Sequence, residues 1–162
     1  MMRELLEYCK RVTDEHLETQ PFGMLYVSTV EELGEVARAI KIENRGVGTS
    51  CKVLDESAKE ECVDLFICGV AIWLSVDKGD INREFKLDRG AGWRATPIYE
   101  FLSEATLKVA FAYENRDRGF EIADVAYHMF SILGGTQEEL KTIMQAKLDK
   151  WNNNLKKSKA SG

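Results

Sequence analysis

Residues 61–76 read ECVDLFICGVAIWLSV, and how this stretch is read decides the fold. From Leu65 to Val76 it is apolar on every side of a helical wheel, whereas a half-buried strand would alternate polar and apolar positions. A helix with no polar face is one enclosed by other helices. The rest of the chain agrees: there are only two prolines, Pro21 and Pro97, alternating β-branched runs are few, and 3.6-residue periodicity recurs almost throughout. The sequence therefore predicts an all-α protein, a bundle of six or seven helices. A length of 162 residues suits one domain, residues 1–162, around one core. Helices are expected at 2–18, from Pro21 to about 43, at 54–76, 80–89, 96–114, 119–133 and 136–156, with a frayed tail, KKSKASG.

The composition narrows the function classes. Apolar residues make up 44 % and charged residues 30 %, with a formal net charge of −5. That balance suits a globular chain and offers no basic surface for nucleic acid. The longest apolar run is too short to span a bilayer, and MMRELLEYCK at the N-terminus has no signal-peptide core, so a cytoplasmic protein without membrane contact is expected. The cysteines at 9, 51, 62 and 68 show no CxxC spacing and read as core fillers, and two histidines give little basis for a zinc site.

Carboxylates are the informative polar residues. STVEELGE at 28–35 carries three glutamates in five positions. Thr29 and Glu32 have capping-box spacing, which would make the glutamates an ordinary first turn, but that requires the helix to begin at residue 29. A start at Pro21 puts them mid-helix. There Leu33, Val36, Ala37 and Ile40 form the apolar stripe, with Glu31 and Glu35 opposite and Glu32 at the flank. By itself this pattern suits a solvated face. The second cluster, Glu61 and Asp64, changes the balance, because the face of Asp64 continues into Ile67, Cys68 and Ala71. Buried carboxylates must be paired, neutralised or metal-bound, and the nearest basic residues in sequence, Lys52 and Lys59, do not lie on that face. A hard divalent cation with oxygen ligands meets the requirement, Mg²⁺ in particular, since it leaves room for a phosphate substrate.

The two halves also resemble each other. Glu61-Cys-Val-Asp64 precedes KLDRG at 86–90, as Glu121-Ile-Ala-Asp124 precedes KLDKW at 147–151, and Glu31 and Glu35 find counterparts in Glu100 and Glu104. Phe101 stands where the first half has Glu32. The pattern suggests a duplicated helical unit, residues 25–90 and 94–155, with one acidic set complete and the other depleted. For the second set, an ordinary amphipathic helix is as good an account as a site. His128 reads as structural.

EELGE at 31–35, followed after a gap by ECVD at 61–64, resembles the EExxE…ExxD signature of the MazG-like all-α nucleoside triphosphate pyrophosphatases. FEIADVAYHMFSILGGTQEELKTIMQAKLDKWNNN is similar to the segment that ends many members, so the likeness spans most of residues 21–155. Relatives in that family include dimeric dUTP and dCTP pyrophosphatases and phosphoribosyl-ATP pyrophosphohydrolase. The resemblance implies Mg²⁺-dependent hydrolysis of a (d)NTP between the α- and β-phosphates, with Mn²⁺ as an alternative ion. It implies Glu32, Glu35, Glu61 and Asp64 as metal ligands, and Glu31 and Glu35 as the catalytic carboxylates, Glu31 orienting or deprotonating water. Lys86 and Lys147 fit the family's nucleotide-contacting lysine, but Gly90 and Trp151 stand where its asparagine is expected. Trp93 and Trp73 are candidates for stacking on a base, Trp93 being taken as a substrate contact, although tryptophan in such a chain is ordinarily core. A homodimer is expected. The competing readings are a non-catalytic helical binding or scaffold protein, and a di-iron bundle, which fails because neither His16 nor His128 follows a glutamate at i−3.

Overall fold

The computed structural model describes residues 2–43, 56–76, 81 and 92–162. Among these the chain is all-α, with helices α1 (Met2–Thr19), α2 (Phe22–Glu43), α3 (Ala58–Leu74), α4 (Ile98–Ala112), α5 (Arg118–Ile132) and α6 (Gln137–Ser161), and a 3₁₀ turn at Trp93–Ala95. The helix expected at 80–89, and Lys86 with it, lies outside the described residues. The expected bounds hold elsewhere to within a few positions, with two instructive differences. Helix α3 starts at Ala58, because Ser57 and Glu60 form a reciprocal capping box: Ser57 Oγ accepts from the Glu60 amide (3.2 Å) and Glu60 Oε2 from the Ser57 amide (3.1 Å). Helix α6 continues through the expected frayed tail to Ser161.

Helix α3 is the central element, as its lack of a polar face requires. Thirteen of its seventeen residues are buried, and Leu65, Phe66, Ile72 and Leu74 are at most 1 % exposed. Each such side chain contributes about 1.5–3 kcal/mol by leaving water. Helix α5 crosses α3 at backbone distance. A Cβ at Gly69 would sit 2.6 Å from the Ala123 nitrogen, and one at Gly119 would sit 2.4 Å from the Trp73 nitrogen. The pairs Gly69–Ala123, Trp73–Gly119 and Phe66–Tyr127 show that the two helices run antiparallel. Helix α2 also packs on α3, and α4 on α5. The α5–α6 corner is a Schellman turn: Gly134, at φ 88°, lets the Gly135 amide reach the Phe130 carbonyl (2.9 Å) before Thr136 caps α6.

Helices α1 and α6 run side by side in the same direction. Tyr8 Oη donates to Asp149 (2.8 Å), and about two to three turns on, Lys159 pairs with Glu15 and Glu18 (3.6 Å each). The stripe Leu5, Leu6, Cys9, Val12 and Thr13 buries the inner face of α1, Thr13 satisfying its hydroxyl on the Cys9 carbonyl (2.7 Å). This pair closes one end of the space between α2 and α3. No helix among the described residues is long and apolar enough to cross a membrane.

Candidate metal centre

The α2–α3 junction sets the register of the acidic residues. Glu43, the last residue of α2, accepts through Oε1 from the Ala58 amide (2.8 Å), so the helices return antiparallel from a fixed point and Glu32 comes opposite Glu61 and Asp64. Oxygen atoms of Glu32, Glu61 and Asp64 lie within 4.8 Å of one another. The buried residues of α2 are Leu25, Thr29, Val36, Ala39 and Ile40, and Glu32 occupies the position between Thr29 and Val36 on that line. The glutamate assigned to the flank of the stripe therefore interrupts the stripe itself. Thr29 is no cap. It is buried mid-helix with its hydroxyl on the Leu25 carbonyl (2.9 Å).

Gathering these carboxylates in partial burial makes ionisation costly. Burial, then the nearby Asp64 and Glu61, push the Glu32 carboxyl up to about 7. Burial and the charges of Glu56 and Asp64 push Glu61, 9 % exposed, up to about 7 as well. Asp64 rises to about 6 through burial, held back by Lys147. Asp64 does have a basic partner, one distant in sequence. Lys147, brought from α6 across 83 positions of sequence, donates to Asp64 Oδ2 and to Glu56 Oε2 (2.6 Å). Burial works against the Lys147 charge, but its bonds to Asp64 and Glu56 outweigh it and raise the ammonium's pKa. The lysine neutralises the Glu56–Asp64 side of the cluster. Among the described residues Glu32 and Glu61 form no salt bridge of their own, although Lys147 acts on both at longer range.

A cavity of about 470 Å³ opens over this cluster, a size within the range that holds small-molecule ligands. Of the residues selected from sequence, Glu31, Glu32, Glu35, Glu61, Asp64 and Lys147 line it. Glu31 is exposed at its edge, and Glu35 faces Arg38 (3.5 Å) and stands outside the converging trio. Trp93 is not part of the lining; its ring packs edge-on against His128 (4.9 Å). Trp73 is core, 3 % exposed, edge-on to Phe120. The reading of residues by pattern overlooked Glu56, His16, Lys150, Trp151 and Asn154, which complete the walls. Glu56 precedes the α3 cap in a stretch with no periodic signal, and the others belong to α1 and α6, whose approach to the cluster only packing determines.

The second acidic set is differently placed. Glu121 is paired with Arg118 (2.9 Å) and Lys108 (3.4 Å). Asp124 lies 3.6 Å from His128, which is fully buried and bonded through Nδ1 to the Asp124 carbonyl (2.6 Å). Phe101, in the place of Glu32, is 3 % exposed and stacks near the His128 ring (6.2 Å). Glu100 is exposed. Aromatic packing and local ion pairs thus surround the second acidic set. Cys9, Cys62 and Cys68 are unpaired, Cys9 and Cys62 as core and Cys68 at the cavity wall. Cys51 lies outside the described residues.

Hard oxygen donors from two helices, two of them pushed toward neutral pH by burial and then by mutual repulsion, are the donor set that Mg²⁺ or Mn²⁺ takes, and the residues present fit such an ion. Comparison of the chain with protein-family models, curated proteins and solved structures gives no match.

Proposed function

We propose that the protein is a Mg²⁺-dependent nucleoside triphosphate pyrophosphohydrolase of the MazG-like all-α type, converting a (d)NTP to the monophosphate and pyrophosphate. The observation that carries this reading is the convergence of Glu32, Glu61 and Asp64 in a cavity of nucleotide size. These three would hold the ion, with Glu35 in reach of the rim. A bound Mg²⁺ neutralises triphosphate charge and acidifies water. Glu31, exposed at the cavity edge, would take the proton of the water attacking the α-phosphorus as the α–β bridging bond breaks. Lys147 holds Asp64 in position and supplies a positive charge beside the phosphate path. The test is pyrophosphate release from a panel of canonical and damaged (d)NTPs with Mg²⁺. Glu32→Gln and Asp64→Asn should abolish it.

The second reading, a non-catalytic binding protein on the same fold, draws on Lys147, which neutralises part of the cluster without any metal. Absence of turnover across the panel in folded protein puts that reading first. The internal repeat rests on the sequence, where ECVD at 61–64 and EIAD at 121–124 fall near the starts of the antiparallel helices α3 and α5. A homodimer is supported by apolar side chains left exposed on two neighbouring helices, Met24, Val27 and Val30 of α2 and Leu107 and Phe111 of α4. Tyr113, stacked on Phe22, joins these two groups.

A further inference from the structure

The cavity has two chemically different ends. Helices α2 and α3 bring carboxylates, whereas α1 and α6 bring an indole, an imidazole and an amide beside the ammonium groups of Lys147 and Lys150. On α6, Lys147, Trp151 and Asn154 are spaced i, i+4 and i+7 and therefore share one face. That face runs for about 10 Å, from the lysine bonded to Asp64 to the amide of Asn154. His16 approaches from α1 with its ring edge-on to Trp151, centroids 5.6 Å apart. Its Nε2 is buried and has no hydrogen-bond partner among the described residues, an omission that folded proteins seldom leave without a reason. Burial also lowers the pKa of His16, so the ring is neutral near pH 7 and Nε2 can donate or accept according to tautomer.

From this arrangement we infer that the α1/α6 wall, with Trp151, His16 and Asn154, is the seat of a planar heteroaromatic ring, the base of a nucleoside. The inference rests on the nucleotide reading of the cavity and adds that the base, and not only the phosphates, is bound. The half-buried indole turns to stack on the incoming ring, and the movement opens His16 Nε2 to a ring nitrogen or an exocyclic group. Stacking tolerates any base, because every base has a π-face, while the imidazole and the amide select among them. Trp151 is then the base-stacking residue, His16 and Asn154 determine specificity, and Trp93 does neither.

The probes are neutral nucleosides in EDTA, which report on this end alone, and inorganic tripolyphosphate with Mg²⁺, which reports on the other. Ligand-observed NMR of the full chain should show at least one canonical nucleoside bound to wild-type protein. Trp151→Leu should weaken that binding about tenfold or more, the loss of one stacked base, and Trp151→Phe should retain most of it. Tripolyphosphate should bind all three proteins alike, and circular dichroism checks that each is folded. No nucleoside binding to wild type, unchanged binding in Trp151→Leu, or equal losses for nucleoside and tripolyphosphate would each overturn the inference. The two readings separate cleanly. Trp151-dependent nucleoside binding without pyrophosphate release removes only the hydrolase. Pyrophosphate release with a KM for the nucleoside triphosphate unchanged in Trp151→Leu removes only the base seat.

Discussion

The acidic trio makes the stability of the metal-free protein depend on pH in an unusual direction. Glu32 and Glu61 titrate near 7 in the fold against an ordinary 4.5, and Asp64 near 6 against 3.8. The folded state therefore holds protons that the unfolded chain has released, so stability is greatest at low pH and is lost as pH rises through about 6 to 7. Between pH 5.5 and 8 each glutamate would account for about 2 kcal/mol, and Asp64 for under about 1 kcal/mol. Glu32 is partly exposed and the three share one mutual repulsion, so the combined loss is on the order of 2 to 3 kcal/mol. For a chain of this length that is about 5–10 °C in Tm. The assay is thermal unfolding in EDTA across this range, repeated with Mg²⁺. In EDTA the Tm should fall as pH rises. At pH 8, Mg²⁺ at a hundred times its Kd should restore about 2.7 kcal/mol. The double variant Glu32→Gln, Glu61→Gln should be flatter with pH and insensitive to Mg²⁺. A metal-free Tm that rises from pH 5.5 to 8, or the same slope in the double variant, refutes the electrostatic account of the site.

Four further outcomes follow from the packing. Gly69→Ala drives a methyl into the Ala123 and Gly119 backbones and should cost about 3 kcal/mol in denaturant unfolding. Gly34→Ala, in the middle of α2 with nothing near its Cβ, should gain about 0.5–1 kcal/mol in the same assay. Lys147→Met leaves Glu56 and Asp64 without their shared cation and should destabilise the metal-free protein by about 3 kcal/mol, with a smaller loss in Mg²⁺; equal losses in both conditions argue that the lysine and the ion act on different groups. If the exposed apolar residues of α2 and α4 form a two-fold interface, Val27→Asp with Phe111→Asp should give a monomer by light scattering with little change in Tm, and an unchanged mass excludes that face.

Local patterns recovered most of the helices, because helix formation answers to the periodicity and punctuation within each segment. The α3 segment was legible as central from its lack of a polar face, and Pro21 correctly placed the start of α2 well before the glutamates. The capping box that shortened α3 was also present in the letters, as Ser57 and Glu60, but the apolar Val53 and Leu54 upstream drew the expected start too early. Glu32 was misjudged for a related reason. A stripe drawn from apolar residues alone gives no place to a carboxylate on the inner line, yet it follows Leu25 and Thr29 there.

What the sequence determined by itself was an all-α chain with two acidic clusters, one of them leading into an enclosed helix, since composition and period suffice for both. It also singled out Glu32, Glu61 and Asp64, which the fold brings together. Only the tertiary structure decided what surrounds them. Lys147 reaches Asp64 from the far end of the chain, Trp151 and His16 meet across two helices, and Trp93 turns into the core. Contacts across such separations depend on how helices cross and in what register, and here that is set by the Gly69–Gly119 approach and the Glu43–Ala58 bond. No periodicity within a single helix encodes them.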